Sequence, residues 1–453
     1  MTFFDRLEQF FHATPPSKTD ETDGFLPALK FRVLVVDFQD NIESNSGENT
    51  ARLLQSMNDF EVSFFDEPFN KTFLNLESRT LFDLIDKGQS LLDRTGADVL
   101  IWGCRENDKI RLNFQTDKQY EKNDLSFVSL LDSLYLPAEL FNQPQTFPSA
   151  VKTLLHGAII SAISPANNSI RIHRKYLLKK DIAQLSNDNS AKQLAVDYMP
   201  YIMNFLGIIY LSYTYDTDKL SDVKITENLF STALKHQDLI ESPLHLGCIY
   251  AHLGQLNDCA GQYQDKHISR FFKDAIGNYR QAQRYLGKYT YPYDYGYISY
   301  QLSHLFFNYW KMKEDIQALR DSVSQMREVE KIFSAAQFPE FWAEVQGELG
   351  YLLSLLGSLT KSSDICQLAI TCYRNQQKIL TEKREPLVWA SSQENIGNLH
   401  YKIGIDQNSR DHLEDALECF HDALYIYENA ARADKIKQLL ISISRTDNEL
   451  KIL

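Results

Sequence analysis

The sequence predicts a small α/β domain followed by an all-α helical solenoid. Strand and helix patterns alternate in the first third of the chain, helical periodicity alone continues from about residue 147, and a 47-residue pattern recurs towards the end. With 453 residues the chain is also too long for one ordinary globular core, so several domains are expected. The predicted parts are an amphipathic helix and linker (1–24), an α/β domain with a mixed sheet (25–146), a helical connector (147–194) and a superhelical repeat domain (195–453).

The predicted α/β domain alternates strands with helices. β-Branched apolar runs bounded by polar residues are typical of buried strands, whereas apolar residues at helical spacing indicate helices. In chain order the predicted elements are strand 30–38, helix 49–57, strand 60–65, helix 80–95, strand 97–103 and strand 109–114. Because the last strand reads as a hairpin partner of the one before it, this order predicts a mixed sheet.

Short motifs in this region resemble a known family. The first strand ends in Phe38 and is followed by a helix, and a later helix runs into Gly96, Ala97, Asp98 and, further along the strand, Gly103. This order resembles the amino-terminal domain of the bacterial TolB family over about a quarter of the chain. The resemblance implies a binding or adaptor role rather than chemistry.

A period of 47 residues organises the last third of the chain. Pro292, Pro339 and Pro386 are spaced by 47 residues, and Pro suits the first turn of a helix because its φ is fixed and its missing N–H would lack a partner there. Each proline is therefore expected to begin the first helix of a repeat, helix A. An aromatic follows three residues later, then a pair of Leu or Ile with a small residue: Tyr295 with Leu302–Ser303, Trp342 with Leu349–Gly350, and Trp389 with Ile396–Gly397.

The second half of the period, helix B, carries its own repeated pair of a small residue and a larger one four positions on. The aligned pairs are Ala275–Tyr279, Ser322–Met326, Ala369–Tyr373 and Ala416–Phe420. Gly inside a helix costs about 1 kcal/mol relative to Ala, so the glycines of helix A need a packing reason. A close approach of a neighbouring helix is expected at each of them. A final capping helix with charges on its outer face is expected over 433–453.

The order aromatic, Leu-Gly, Ala, aromatic resembles the tetratricopeptide repeat. It is carried most clearly by Trp389, Ile396, Gly397, Ala416, Phe420 and Ala423. The period of 47 exceeds that family's period of about 34 residues, so longer helices or turns are implied. Five or so helical pairs within 195–453 would satisfy the need of such a fold for several stacked units.

The resemblance implies a concave groove lined by helix A that binds a partner protein or peptide. Carried over through the Leu-Gly pairs, the expected groove residues are Tyr297, Tyr300, His304, Glu344, Tyr351, Ser391, Glu394, Asn398 and Tyr401. Tyrosine is favoured at interfaces, and tyrosine with Asn and Glu suits a neutral or basic segment. The family's clamp for a terminal carboxylate needs basic residues, and Glu394 has the opposite charge. Packing of several of these tyrosines between repeats is the alternative, and self-association of the solenoid stays open.

The sequence gives little support for a catalytic or nucleotide-binding site. Asp37 and Asp40 follow the first strand, where ligands often bind in α/β domains, but no dinucleotide, Walker or nucleophile-elbow motif accompanies them. The six cysteines form no C-x-x-C pair and no His stands at metal-ligand spacing, so buried reduced thiols, no metal and no cofactor are expected. We expect a non-enzymatic scaffold or adaptor. The alternatives are a ligand-sensing regulator whose α/β domain binds a small molecule and controls the solenoid, and an enzyme with an unrecognised site in that domain.

Charge and hydropathy bear on partners and location. Of the net charge of −13, most comes from residues 1–150, where 25 acidic face 14 basic side chains, so nucleic-acid binding is not expected. The basic stretch 171–180 is interpreted as a solvated linker helix, with a phosphate or acidic-partner site as the alternative.

No run reaches the roughly 20 apolar residues of a membrane span and no signal peptide is evident, which predicts a cytoplasmic protein. Peripheral membrane contact through 1–14 is the alternative to packing of that helix on the protein itself.

Overall fold

The computed structural model describes residues 29–38, 45–66, 78–116, 132–142, 147–164, 167–187, 196–217, 222–240, 242–263 and 268–453. The predicted amphipathic helix and linker (1–24), with the membrane contact suggested for 1–14, lies outside these residues, as does Asp40. The chain divides into two compact units, Met1–Tyr295 and Gly296–Leu453.

Five strands of the first unit form one mixed sheet in the order β2-β1-β3-β4-β5. Strands β2 and β3 run parallel to β1, whereas β4 is antiparallel to both β3 and β5. The strands are β1 (Phe31–Val36), β2 (Phe60–Phe65), β3 (Val99–Glu106), β4 (Lys109–Thr116) and β5 (Ser133–Pro137). The predicted mixed sheet is confirmed. Strand β5 was not predicted. It has only five residues and four of them are buried, so its sequence shows neither an alternation of apolar and polar residues nor a length typical of one element.

Two helices connect the parallel strands, and fourteen more follow the sheet in the described part of the chain. Their bounds are α1 (Ser46–Gln55), α2 (Ser78–Thr95), α3 (Ala138–Asn142), α4 (Ser149–Ala162), α5 (Asn168–Asn187), α6 (Met199–Thr217), α7 (Val223–Lys235), α8 (Pro243–Tyr263), α9 (Ile268–Tyr285), α10 (Pro292–Lys313), α11 (Ile316–Ile332), α12 (Pro339–Thr360), α13 (Ser363–Ile379), α14 (Pro386–Gln407), α15 (Arg410–Asn429) and α16 (Ala433–Ile452). This confirms the predicted α/β sheet followed by a helical solenoid. None of the helices in the described residues combines the length and the apolar character that crossing a membrane requires.

The core of the first unit joins the sheet to helices that follow it. Val33 and Ile101 of the sheet belong to one apolar cluster with Leu154 of α4, Leu178 of α5 and Phe205 of α6. Burial of such side chains contributes about 1.5–3 kcal/mol each. Helices that the sequence assigned to the connector and to the start of the repeat domain thus supply part of the core of the sheet.

The basic stretch on α5 is not wholly solvated, which corrects its interpretation as a solvated linker helix. Arg174 is fully buried and donates from Nε to the carbonyl of Ile160 at 3.2 Å, and His173 is buried as well. Lys180 is exposed and lies 4.0 Å from Asp59. Helix α5 was misread because a Lys- and Arg-rich helix looks solvated in sequence, although a guanidinium can be buried where a carbonyl accepts its protons.

From Pro292, four residues before the second unit begins, a helix–turn–helix geometry repeats every 47 residues. Helices α10, α12 and α14 are the A helices and begin at the three prolines, whereas α11, α13 and α15 are the B helices. The A helices are followed by residues with positive φ at Glu314, Lys361 and Asn408. The next residue caps helix B with its side chain, since Asp315, Ser362 and Ser409 each accept a backbone N–H of the first turn.

The expected close approach at the helix A glycines is confirmed. A Cβ atom on Gly397 would lie 2.7 Å from the ring of Phe420, and one on Gly350 would lie 3.1 Å from the ring of Tyr373. Each aromatic follows its glycine by 23 residues. Glycine therefore lets the aromatic ring of helix B seat directly on the backbone of helix A, a contact that offsets its poor helix propensity.

The six cysteines are all free thiols, as predicted. Five are buried and Cys419 is half-buried. Burial raises the pKa of Cys372 and of Cys419 to about 12. These thiols stay protonated near neutral pH and act as small apolar side chains.

The final helix differs from the capping helix expected for 433–453. Leu440 and Ile441 of α16 are 51% and 62% exposed, so its outer face is not purely charged. Together with Lys437 and Arg445 they line an open groove along α16. The polar side chains interleave with these leucine and isoleucine positions, which is why the outward face looked charged in sequence.

Candidate functional site

The nine expected groove residues share one face of the A helices in the second unit. Within a helix they stand at positions separated by three, four, seven or ten residues, spacings that keep side chains on one face. None of the nine is buried: Tyr351 and Asn398 are exposed, and Tyr297, Tyr300, His304, Glu344, Ser391, Glu394 and Tyr401 are half-buried. The face is thus partly accessible, and of the nine residues Tyr351 and Asn398 are the exposed ones. That they bind a partner stays a prediction.

A polar cluster links α10 to α12 on this face. The hydroxyl of Tyr300 donates to Oε1 of Glu348 at 3.0 Å, and Nε2 of His304 lies 3.1 Å from Oε2 of the same carboxylate. The two rings meet edge to face at 4.4 Å. Burial, and next to it the charge of Glu348, raise the pKa of Tyr300, so this hydroxyl stays a donor. Sequence reasoning missed Glu348, although its position four residues after Glu344 on a helix could have identified it.

A second cluster links α14 to α15 and α16. Glu394 accepts a hydrogen bond from Tyr427 at 3.1 Å and from Nζ of Lys435 at 3.0 Å. The guanidinium of Arg445 lies 4.0 Å from the centre of the Tyr401 ring, within cation–π range. The negative charge of Glu394 is therefore paired within the chain. Both cations come from α16, which lies outside the regular repeat.

Part of this face is aromatic. Tyr351 is 48% exposed and meets the ring of Phe307 edge to face at 5.9 Å. Phe307 stacks on Trp310 at 5.5 Å, and Nζ of Lys311 lies 4.7 Å from the centre of the Phe307 ring. Phe307 stands two periods before Tyr401 in the register, which is the signal that could have identified it.

A separate polar cleft lies in the first unit, between the turn before β2 and helices α4 and α5. Its volume is about 490 Å³. His156 lies at its base, with Nδ1 hydrogen-bonded to Asp181 at 2.7 Å and Nε2 3.4 Å from Asp59. Burial by itself would lower the pKa of His156, but the hydrogen bond to Asp181 and the carboxylate of Asp59 outweigh it and raise the pKa to about 9. The ring is an imidazolium at neutral pH.

The charge on His156 predicts a loss of stability at alkaline pH. Its pKa in the folded chain lies above the unfolded value of 6.5, so the stabilisation is fully present below about 6.5 and is lost as pH rises through about 9. We expect the free energy of unfolding to fall between these values in a series of urea titrations. His156→Gln should flatten this part of the profile, whereas His421→Gln, at an exposed position, should leave it unchanged. Parallel profiles for the wild type and His156→Gln would contradict the assignment.

Asp37, one of the two carboxylates considered for chemistry, lies at the end of β1. Its Oδ1 accepts the N–H of Phe38 at 2.9 Å. Helix α1 covers it closely, since a Cβ atom on Gly47 would lie 2.8 Å from the same oxygen. Burial raises the pKa of Asp37, and the hydrogen bond from Phe38 works against that rise. This carboxylate is thus engaged with its own backbone.

No protein-family model matches the chain, and no curated protein shows significant similarity to it. The resemblances to the tetratricopeptide repeat and to the TolB amino-terminal domain therefore stay predictions.

Proposed function

We propose that the chain is a non-enzymatic scaffold or adaptor that binds a partner protein or peptide on the common face of α10, α12 and α14. One observation carries the proposal: the nine side chains occupy four positions of the 47-residue period on one face of the A helices, and none of them is buried. One exposed and three half-buried tyrosines on this face suit an extended or helical segment, because a few desolvated aromatic anchors supply most of the binding energy of an interface.

The charges on this face favour a neutral or basic segment. Glu344 and Glu348 stand one turn apart on α12, next to the exposed ring of Tyr351. An Arg or Lys side chain of a partner could lie over that ring and reach a carboxylate, a combination of cation–π contact and ion pairing. Glu348 is already bonded to Tyr300 and His304, and Glu394 to Lys435, so the exposed ring of Tyr351 is what distinguishes the α12 part of the groove. The α12 part of the groove is the expected anchor.

Selection from a random peptide display library against the full chain tests the proposal, with affinities then measured by fluorescence anisotropy. We expect enriched peptides to carry basic and aromatic residues. Tyr351→Ala should weaken the selected peptide by roughly 30-fold, the effect of losing a strong interface anchor of about 2 kcal/mol. Tyr425 is 62% exposed on the B helix α15, so Tyr425→Ala is the matched control and should change affinity little.

Two results of that selection would count against the groove. Equal weakening by Tyr351→Ala and Tyr425→Ala would show that binding does not use the helix A face. Enriched peptides dominated by acidic residues would contradict the charge argument made from Glu344 and Glu348.

A second candidate function is favoured by the cleft around His156. Lys152, Lys180 and the His156 imidazolium line it together with the carboxylates of Asp59 and Asp181, so the lining keeps one net positive charge, which favours a small anion. In that case the chain is a ligand-sensing regulator whose α/β domain binds a small molecule. Binding of an anion in this cleft should then change the affinity of the full chain for the selected peptide, since coupling between two sites is reciprocal. The same measurement on Lys180→Ala tests whether the change arises in the cleft. Unchanged peptide affinity at a saturating anion concentration would reject this role.

A further inference from the structure

Two histidines of the last repeat face each other in the second unit. The Nδ1 atoms of His400 on α14 and His412 on α15 are 2.9 Å apart, and Oδ2 of Asp415 lies 3.4 Å from Nδ1 of His400. One atom from each of the three side chains falls within 4.8 Å of the other two. His400 is only 3% exposed, whereas Asp415 is exposed at the rim. The group is thus anchored at its base and open to solvent on one side.

The turn between the two helices creates this arrangement. Ser409 caps α15 by accepting the backbone N–H of His412 at 3.4 Å, which fixes His412 in the first turn. Asp415 follows three residues later, on the same helix face. His400 reaches the pair from the last two turns of α14. The two histidines are 12 residues apart in sequence, so no familiar ligand spacing revealed them.

The histidine pair departs from the pattern of the repeat. One period earlier the same two positions hold Leu353 and Ile365, and two periods earlier they hold Phe306 and Ala318. Of these, Leu353, Phe306 and Ala318 are buried. The repeat therefore forms with apolar side chains at this junction, and its packing does not require histidine. An imidazole buried in place of an apolar group costs free energy unless its nitrogens are satisfied, and here the two Nδ1 atoms can share one proton in a hydrogen bond or bind one ion.

We propose that Nδ1 of His400, Nδ1 of His412 and the carboxylate of Asp415 bind a divalent transition-metal ion, with water completing its coordination. Two imidazoles and one carboxylate form a ligand set that such ions accept. Metal–nitrogen bonds of about 2.1 Å and the present nitrogen separation give an angle near 90°, as in the tetragonal sites of Ni²⁺ and Cu²⁺. A tetrahedral Zn²⁺ site needs the nitrogens about 3.4 Å apart, an opening of roughly half an ångström.

One neighbouring charge opposes the ion. Arg374 of α13 is close enough to act electrostatically on His400. Its positive charge disfavours a cation, whereas the carboxylate of Asp415 favours one and also supplies a bond to it. Removal of that carboxylate should therefore weaken metal binding by more than the loss of one metal–oxygen bond would in a site without the charge of Arg374. Asp415→Asn tests this contribution.

Isothermal titration of the full chain, stripped with a chelator, against NiCl₂ and against ZnCl₂ tests the proposal. We expect one ion per chain. His400→Leu and His412→Ile place the residues of the preceding repeat at these positions, so both variants should fold. Each should lower the affinity for the metal ion by more than about 100-fold, which exceeds the effect of removing a residue that only hydrogen-bonds to a ligand. His421→Ala, at an exposed histidine of the same helix, should bind like the wild type. Circular dichroism verifies the fold of each variant.

Optical spectra with Co²⁺ give an independent readout. Bound Co²⁺ should show ligand-field bands that disappear in His400→Leu and persist in His421→Ala. The proposal is overturned if the wild type binds none of the three ions at micromolar concentration. It is equally overturned if folded His400→Leu and His412→Ile retain binding, or if His421→Ala abolishes it.

Discussion

His252→Ala is expected to destabilise the first unit by about 3–5 kcal/mol, the cost of leaving a buried charge without its partner. The carboxylate of Asp132 has no exposed surface, and its Oδ2 lies 2.9 Å from Nε2 of His252. Its Oδ1 accepts a hydrogen bond from Asn204 at 3.2 Å. Burial by itself would lower the pKa of His252, but the charge of Asp132 and the hydrogen bond to it outweigh burial and raise the pKa. These contacts join the start of β5 to α6 and α8.

Urea unfolding followed by circular dichroism measures this cost. The double variant Asp132→Asn/His252→Gln removes both charges and keeps polar side chains of similar size, so it should lose much less stability than His252→Ala. A double-mutant comparison of this kind separates the unpaired charge from the lost contacts. A loss below about 1 kcal/mol for His252→Ala, typical of a surface ion pair, would contradict a buried pair.

Gly397→Ala is expected to destabilise the second unit by about 1–3 kcal/mol, as overpacking in a well-filled core does. The new Cβ would lie 2.7 Å from the ring of Phe420, which is fully buried, and 3.2 Å from the carbonyl oxygen of Ala416. Neither neighbour can move without disturbing the contact between α14 and α15. The better helix propensity of Ala, worth up to about 1 kcal/mol, offsets only part of the clash.

Gly277→Ala supplies the matched control. Gly277 also lies within a helix, α9, but a Cβ atom there would meet nothing within 4 Å. The same substitution should therefore raise stability by up to about 1 kcal/mol at Gly277 and lower it at Gly397. Thermal unfolding of both variants checks the sign. If both substitutions stabilise the protein, the close packing of helix B on helix A at the repeated glycine is refuted.

The parts of the fold that could be predicted depend on local constraints of the chain. Pro292, Pro339 and Pro386 begin helices because proline has a fixed φ and no N–H, and the helix A glycines contact aromatic rings because only glycine leaves that space. Strand β5 and the burial of Arg174 depend instead on partners far away in sequence. No local pattern encodes those partners.

In the candidate groove, too, features set by local sequence could be predicted and features set by distant partners could not. A shared face for Tyr297, Tyr351 and Asn398 follows from the period alone and could be predicted. The pairing of Glu394 with Lys435 could not, because Lys435 lies on α16, outside the regular repeat. The contact between His400 and His412 depends on the turn that joins α14 to α15, and it became visible only in the structure.

Hydrogen exchange of the full chain, with and without a selected peptide, tests the groove most directly. Binding to the common face of α10, α12 and α14 should slow exchange of backbone amides in these three helices, most of all near Tyr351, because openings of bound segments become rarer. Exchange in the B helices α11, α13 and α15 should change less. Protection confined to the B helices or to the first unit would contradict binding of a partner by the A helices.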